Sequence, residues 1–117
     1  LERAQDMLIL PEAAENSVPS WFGFLITLRD NCPKSREQIV RFLEGRNIQT
    51  RMLFSGNLIR HPAFDSIRGS DAYRVCGSLE VTDTIMARTF WIGVYPGMTE
   101  AMLDYMGESI LDALREN

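Results

Sequence analysis

The sequence contains one histidine, one lysine and two cysteines among its 117 residues, and that scarcity removes whole classes of chemistry. Cys32 and Cys76 stand 44 positions apart with only His61 to join them, and no zinc site is built on such spacing. Two thiols do not make a disulfide-dense secreted scaffold either, so both are expected as buried or surface thiols of a cytoplasmic protein. No apolar run approaches the roughly 18 residues that span a bilayer, so no membrane partner is expected. The opening "LERAQDMLIL" lacks the basic region and the cleavage-like site of a signal peptide. Positive charge is short: 12 Lys and Arg against 16 Asp and Glu give a net charge of −4, which argues against nucleic acid, whose backbone needs a basic face. The motifs G-x-S-x-G, G-x-G-x-x-G, H-E-x-x-H and the Walker loop are all missing. Carboxylates are scattered over helix starts and exposed faces, and no pair stands out for acid–base work.

What remains is an ordinary globular composition, 45% hydrophobic and 24% charged, in a length typical of one domain. "LERAQDMLILP" opens in helical spacing (Leu1, Ala4, Leu8) with Pro11 as a breaker, and reads as the end of a helix cut from a longer chain. The polar "EAAENSVPS" after it reads as a linker, so residues 1–19 are expected as the end of an interdomain helix plus linker, and 20–117 as a domain. "WFGFLITLRD" alternates Phe22, Phe24, Ile26 and Leu28 against Trp21, Leu25 and Thr27, the period of a strand. Ser35 and Gln38 form a capping box ahead of a helix with Ile39, Val40, Phe42 and Leu43 inward, and Asn47 suits the left-handed residue that ends it. "IQTRMLF" predicts a second strand with Arg51 on its less apolar face. Residues 55–80 are loop-rich, "VTDTIMARTF" predicts a short helix and "WIGVYP" a third strand. Thr99 caps a long final helix whose inward face is Leu103, Met106, Ile110, Ala113 and Leu114. The fold class is therefore α/β (α+β), a two-layer sandwich of about three largely antiparallel strands with helices covering one face.

One stretch invites a functional reading. In "RMLFSGNLIR", Gly56 lets backbone approach a ligand closely and Ser55 and Asn57 offer neutral hydrogen bonds. Arg51 and Arg60 offer planar, permanently charged forks suited to phosphate or carboxylate. The plain alternative is a polar turn whose arginines pair with Asp or Glu. Trp21 and Trp91 can serve as a stacking platform, although large aromatics more often anchor strands or cover interfaces. His61, in a loop before a proline, is more readily structural than chemical.

The segments "SWFGFLITL", "R-x-LFSGN-x-x-R-x-P-x-F", "YRV-x-G-x-L" and "TD-x-IM-x-x-TFWIGVYPG-x-T-x-x-MLDY" occur in the order in which they stand in the nucleotide-sugar 3-dehydratases, and over residues 20 to about 110 the sequence resembles the C-terminal part of that family. Its members are similar to sugar aminotransferases of the aspartate-aminotransferase fold. The aminotransferases themselves match more loosely: where they carry "G-I-x-T-R" and "-LP-x-H-P-", this sequence has Asn47-Ile48-Gln49-Thr50-Arg51 and Ile92-Gly93-Val94-Tyr95-Pro96.

The resemblance implies the small C-terminal domain of a pyridoxamine 5′-phosphate or pyridoxal 5′-phosphate enzyme that removes the C3 hydroxyl of a nucleotide-linked 4-keto-6-deoxyhexose, for deoxysugar and lipopolysaccharide synthesis. The cofactor, its phosphate cup and the catalytic base belong to an N-terminal large domain upstream, so this chain is expected to bind no cofactor, hold no catalytic residue and be inactive alone. Lys34, before a helix, is no Schiff-base candidate, and His61 is not the histidine that replaces that lysine in the dehydratases. The carry-over leaves Arg51, Asn57 and Arg60 converging on the sugar nucleotide, with Ser55 and Gly56 shaping the loop. A homodimer and a reductase partner are implied for the whole enzyme. A sugar aminotransferase fragment and a stand-alone nucleotide- or glycan-binding module are the competing readings.

Overall fold

A computed structural model describes residues 1–115. Its elements in chain order are β1 (Leu8–Ile9), β2 (Gly23–Leu28), α1 (Arg36–Gly45), β3 (Thr50–Met52), α2 (Glu80–Arg88), β4 (Thr89–Gly93) and α3 (Glu100–Arg115). Short 3-10 turns lie at Glu2–Ala4, Leu58–Arg60 and Pro62–Ile67. The four strands form one antiparallel sheet in the order β1-β2-β4-β3.

Alternation along the strands decides the layers. Ile26 lies opposite Phe90 and Phe24 opposite Ile92, so these residues share one face. Ile26, Phe90 and Ile92 join Ile39 and Leu43 of α1 and Ile110, Leu111, Ala113 and Leu114 of α3 in one buried cluster. Leu25, Trp91 and Arg51 stand in register on the opposite face. The two-layer arrangement read from the sequence is the one observed. Polar ties fix α1 to the sheet and to α3: Thr50 Oγ1 donates to Glu44 of α1 at 2.8 Å, and Arg46 at the end of α1 pairs with Asp112 of α3 at 2.8 Å.

Helix α1 begins as its capping box requires. Gln38 N–H donates to Ser35 Oγ at 3.2 Å and Ser35 N–H donates to Gln38 Oε1 at 2.8 Å, and Asn47 ends the turn at φ 61°. Ser35→Ala removes one of these bonds from an exposed helix start and is expected to cost about 1 kcal/mol, read by urea unfolding.

Several boundaries differ from the sequence reading, each for a physical reason. The sheet has four strands rather than three. Residues 1–11 form no α-helix: Leu8 and Ile9 pair with Leu28 and Thr27 along the free edge of β2, and Ala4 and Leu8 enter the core. Exposed residues 12–20 then lead into β2 without a regular element. Strand β3 stops at Met52 because Phe54 turns the chain at φ 46°. α2 runs directly into β4, which therefore starts at Thr89 rather than Trp91, and Phe90 belongs to the strand. Phe22 precedes β2 and is exposed, and on α3 Leu103 is exposed while Leu111 is buried.

Candidate functional site

The exit of β3 builds a loop around one carboxylate. Asp83, one turn into α2, accepts a bidentate pair from Arg60, Nε to Oδ1 at 2.6 Å and Nη2 to Oδ2 at 2.5 Å. Its Oδ1 also accepts from Asn57 Nδ2 at 2.8 Å. Asn57 is only 3% exposed, so this bond satisfies a side chain that burial would otherwise penalise. The bonds from Arg60 and then Asn57 hold the Asp83 carboxyl below the ordinary aspartate range, against a smaller upward push from desolvation, and the same pair raises Arg60.

The sign of the linkage follows. With a depressed folded value, the stabilisation by Asp83 is complete above the ordinary aspartate value of about 3.9 and is lost as pH falls through the lower folded value. Acid titration followed by NMR is expected to move the Asn57 side-chain amide resonances together with the Asp83 carboxyl carbon. Asp83→Asn is expected to abolish that coupled step.

Beneath the loop sits Met86. Asn57 N–H points at Met86 Sδ at 3.4 Å, and a Cβ added at Gly56 would fall 2.7 Å from Met86 Cγ. Gly56 is also left-handed, φ 61°. Gly56→Ala therefore meets a clash and an unfavourable backbone at once. It is expected to destabilise by at least about 1 kcal/mol, measured by thermal unfolding. His61 Nε2 donates to the Ser55 carbonyl and closes the loop on its other side.

Two adjoining hollows flank this loop. One, of about 200 Å³, is bordered by Ser55, Gly56, His61 and Met86; the other, of about 430 Å³, by Arg51, Phe22, Gly23 and Trp91. Met52 and Phe54 border both. Arg51 is exposed, and its Nη1 donates to the carbonyl of its own neighbour Thr50 at 2.8 Å. The expected convergence of the two arginines on one hollow is not what the structure has: Arg51 borders the larger hollow, Arg60 borders neither. Asn57 and Arg60 meet on Asp83, as the plain turn reading allowed for Arg60. Ser55 and Gly56 border the smaller hollow.

Sequence reasoning missed Asp83 and Met86 as partners of the loop, and it paired Trp91 with Trp21 where the structure sets Phe22 and Phe54 beside it. Asp83 and Met86 stand in the "TD-x-IM" segment, the one signal that singled them out. Both cysteines are free thiols. Among the described residues no cluster of three or more His, Cys, Asp or Glu is placed to hold a metal, and no helix is long and apolar enough to cross a membrane.

The small antiparallel sheet covered on one face by helices is a fold that the chain shares with part of solved proteins of the aminotransferase fold. The chain belongs to the DegT/DnrJ/EryC1/StrS aminotransferase family, whose model matches residues 1–111. It is 50% identical over 105 residues to a dTDP-4-dehydro-2,6-dideoxy-D-glucose 3-dehydratase of Saccharopolyspora spinosa, covering 90% of this chain and 22% of that protein. It is 51% identical over 106 residues to the lipopolysaccharide biosynthesis protein RfbH of Salmonella typhimurium, covering 91% of this chain and 23% of that protein. The chain thus spans less than a quarter of the length of these relatives. The fold matches E. coli GDP-4-keto-6-deoxy-D-mannose-3-dehydratase, solved with bound hydrated PLP, with a TM-score of 0.75 at 22% identity over 93% of this chain and 27% of that one.

Proposed function

We propose that residues 20–117, with residues 1–9 docked on their sheet, act as the small C-terminal domain of a nucleotide-sugar 3-dehydratase and close over its substrate. The observation that carries this reading is that half of the 105 aligned positions, which span 90% of the chain, are shared with a protein named for 3-dehydration of a nucleotide-linked keto sugar. The loop chemistry supports it. Arg51 offers an exposed guanidinium to a diphosphate, and Ser55 with Gly56 borders the smaller, largely apolar hollow beside it. Asn57 and Arg60 serve the same site by holding the loop on Asp83.

The residues described do not make a site for pyridoxal or pyridoxamine phosphate. Lys34 lies ahead of α1 and borders neither hollow, and the ring of His61 is engaged by the Ser55 carbonyl. When bound in the whole protein, such a cofactor supplies the electron sink for loss of the C3 hydroxyl. This chain contributes orientation of the sugar nucleotide and exclusion of water, effects that accelerate reactions by several orders of magnitude in favourable cases. Homodimerisation, a reductase partner and a cytoplasmic location belong to the same reading.

The test is product analysis. The whole protein, given pyridoxamine phosphate and a nucleotide-linked 4-keto-6-deoxyhexose, is expected to yield a sugar lacking its C3 oxygen by NMR and mass spectrometry. A 4-amino sugar formed with an amino-acid donor would replace this reading by that of a sugar aminotransferase.

A further inference from the structure

We infer that Arg36, the first residue of α1, is a positioning residue: by gripping the end of α2 it holds the loop of residues 55–60 in its working shape. The inference rests on the proposed function and extends it to a side chain outside that loop.

Arg36 stands where its own helix gains nothing from it. The start of a helix carries partial positive charge and favours acid, which Glu37 supplies next to it. A guanidinium in the same turn works against α1. Its partners lie across the fold, 50 residues on, where Nη1 donates to the Met86 carbonyl. A longer contact, 3.4 Å, reaches the Thr89 carbonyl.

Those carbonyls need a donor. α2 runs straight into β4 through Thr89, extended at φ −106° and ψ 138°, so no left-handed residue folds the chain back over the last turn. Thr89 N–H donates to Ile85 O, and Arg36 takes the next carbonyl in line, that of Met86. Its charge also lies at the negative end of α2, where the helix dipole favours a cation.

The same short helix seats the loop. Met86 Sδ receives the Asn57 N–H, and Met86 Cγ lies too close to Gly56 for any Cβ there. One turn earlier, Asp83 holds Asn57 through Nδ2 and Arg60 through Nε and Nη2. Asp83 and Met86, three positions apart, share one face of α2. Yet α2 has nine residues and none of them is buried, so packing alone holds it weakly. α1 is the firm side of the joint, with Ile39 and Leu43 in the core. Arg36 ties the weakly packed helix to the firm one. A loop ordered before its substrate arrives loses less freedom on binding and presents its groups already aligned, which bears on affinity and rate together.

The experiment compares Arg36→Ala, Arg36→Lys and Arg41→Ala in the whole protein. Arg41, exposed on the same helix and paired with Glu37, is the control. Hydrogen exchange is first read by mass spectrometry without substrate, over peptides that contain the bonded amides of Asn57, Arg60 and His61. In Arg36→Ala these are expected to exchange about tenfold faster while β2 keeps its rate. Arg36→Lys keeps a charged donor and is expected to recover much of the protection, and Arg41→Ala to change nothing. With a nucleotide-linked 4-keto-6-deoxyhexose, well below the melting temperature, Arg36→Ala is expected to lower kcat/KM by about 10- to 100-fold, kcat falling as KM rises.

Loop exchange at the wild-type rate in Arg36→Ala would overturn the inference. So would acceleration that includes β2, the mark of a merely structural role, or local acceleration with kcat and KM unaltered. Arg36 also borders the smaller hollow, so lost turnover with unchanged exchange would make it a substrate contact instead. A protein that shows the local acceleration but never forms the deoxygenated sugar loses the proposed reaction and keeps the brace. One that forms the sugar with the loop unmoved keeps the reaction and loses the brace.

Discussion

Phe90→Ala is expected to destabilise the fold by about 3–5 kcal/mol, enough to lower the melting temperature by more than about 10 °C. Phe90 is fully buried in the middle of β4, with Ile26 across one strand pair and Met52 across the other. It belongs to the cluster in which α1 and α3 meet the sheet. Removing the ring sacrifices its transfer free energy and leaves a cavity between two helices and three strands, which side chains tied from both layers fill poorly. Phe54→Ala is the internal control: the same atoms are deleted from an exposed site, and the expected change is within about 0.5 kcal/mol. Urea unfolding of both variants checks the contrast. A loss below about 1 kcal/mol at Phe90 would mean that the sheet and helices do not pack as described.

Arg51→Ala in the whole protein is expected to raise KM for the nucleotide sugar by about 10- to 100-fold with kcat nearly unchanged. A charge-assisted hydrogen bond to phosphate contributes about 1.5–3 kcal/mol. Such a contact, remote from the reacting carbon, binds the ground state and the transition state alike, and its loss appears in KM. Arg51→Lys keeps the charge but not the planar fork, and is expected to fall between. Arg51 is exposed and donates only to its own neighbour's carbonyl among the described hydrogen bonds, so neither variant is expected to shift the melting temperature appreciably. Arg60→Ala should behave differently. It frees Asp83 and loosens the loop that Asn57 anchors, so kcat and KM are expected to change together.

Local physics made much of this readable from sequence. The capping box at Ser35, the left-handed Asn47 and the alternation of Phe24, Ile26 and Leu28 each depend on residues within a few positions of one another, and each is present. Strand β1 was hidden because two residues carry no periodicity, and Leu1, Ala4 and Leu8 also fit a helix. The left-handed Phe54 was hidden because phenylalanine does not favour that conformation, so nothing in the residue announces the turn that ends β3.

The candidate site divides along the same line. Arg51, Ser55, Gly56, Asn57 and Arg60 stood out as a polar cluster on one loop, and residue types alone sufficed for that. Which of them face solvent depends on Asp83, which lies 23 residues beyond Arg60 and 26 beyond Asn57. A carboxylate that far along the chain can be assigned to its partners only once α2 is placed beside the loop. The aromatic group around Trp91 is likewise a tertiary product of three separate segments.

A crystal structure of the whole protein with a nucleotide-linked 4-keto-6-deoxyhexose bound would decide the matter. The guanidinium of Arg51 should stand about 2.7–3.2 Å from a diphosphate oxygen, with Asn57 and Arg60 still on Asp83. A diphosphate bound elsewhere, with Arg51 paired to a protein carboxylate, would refute the role given to this loop.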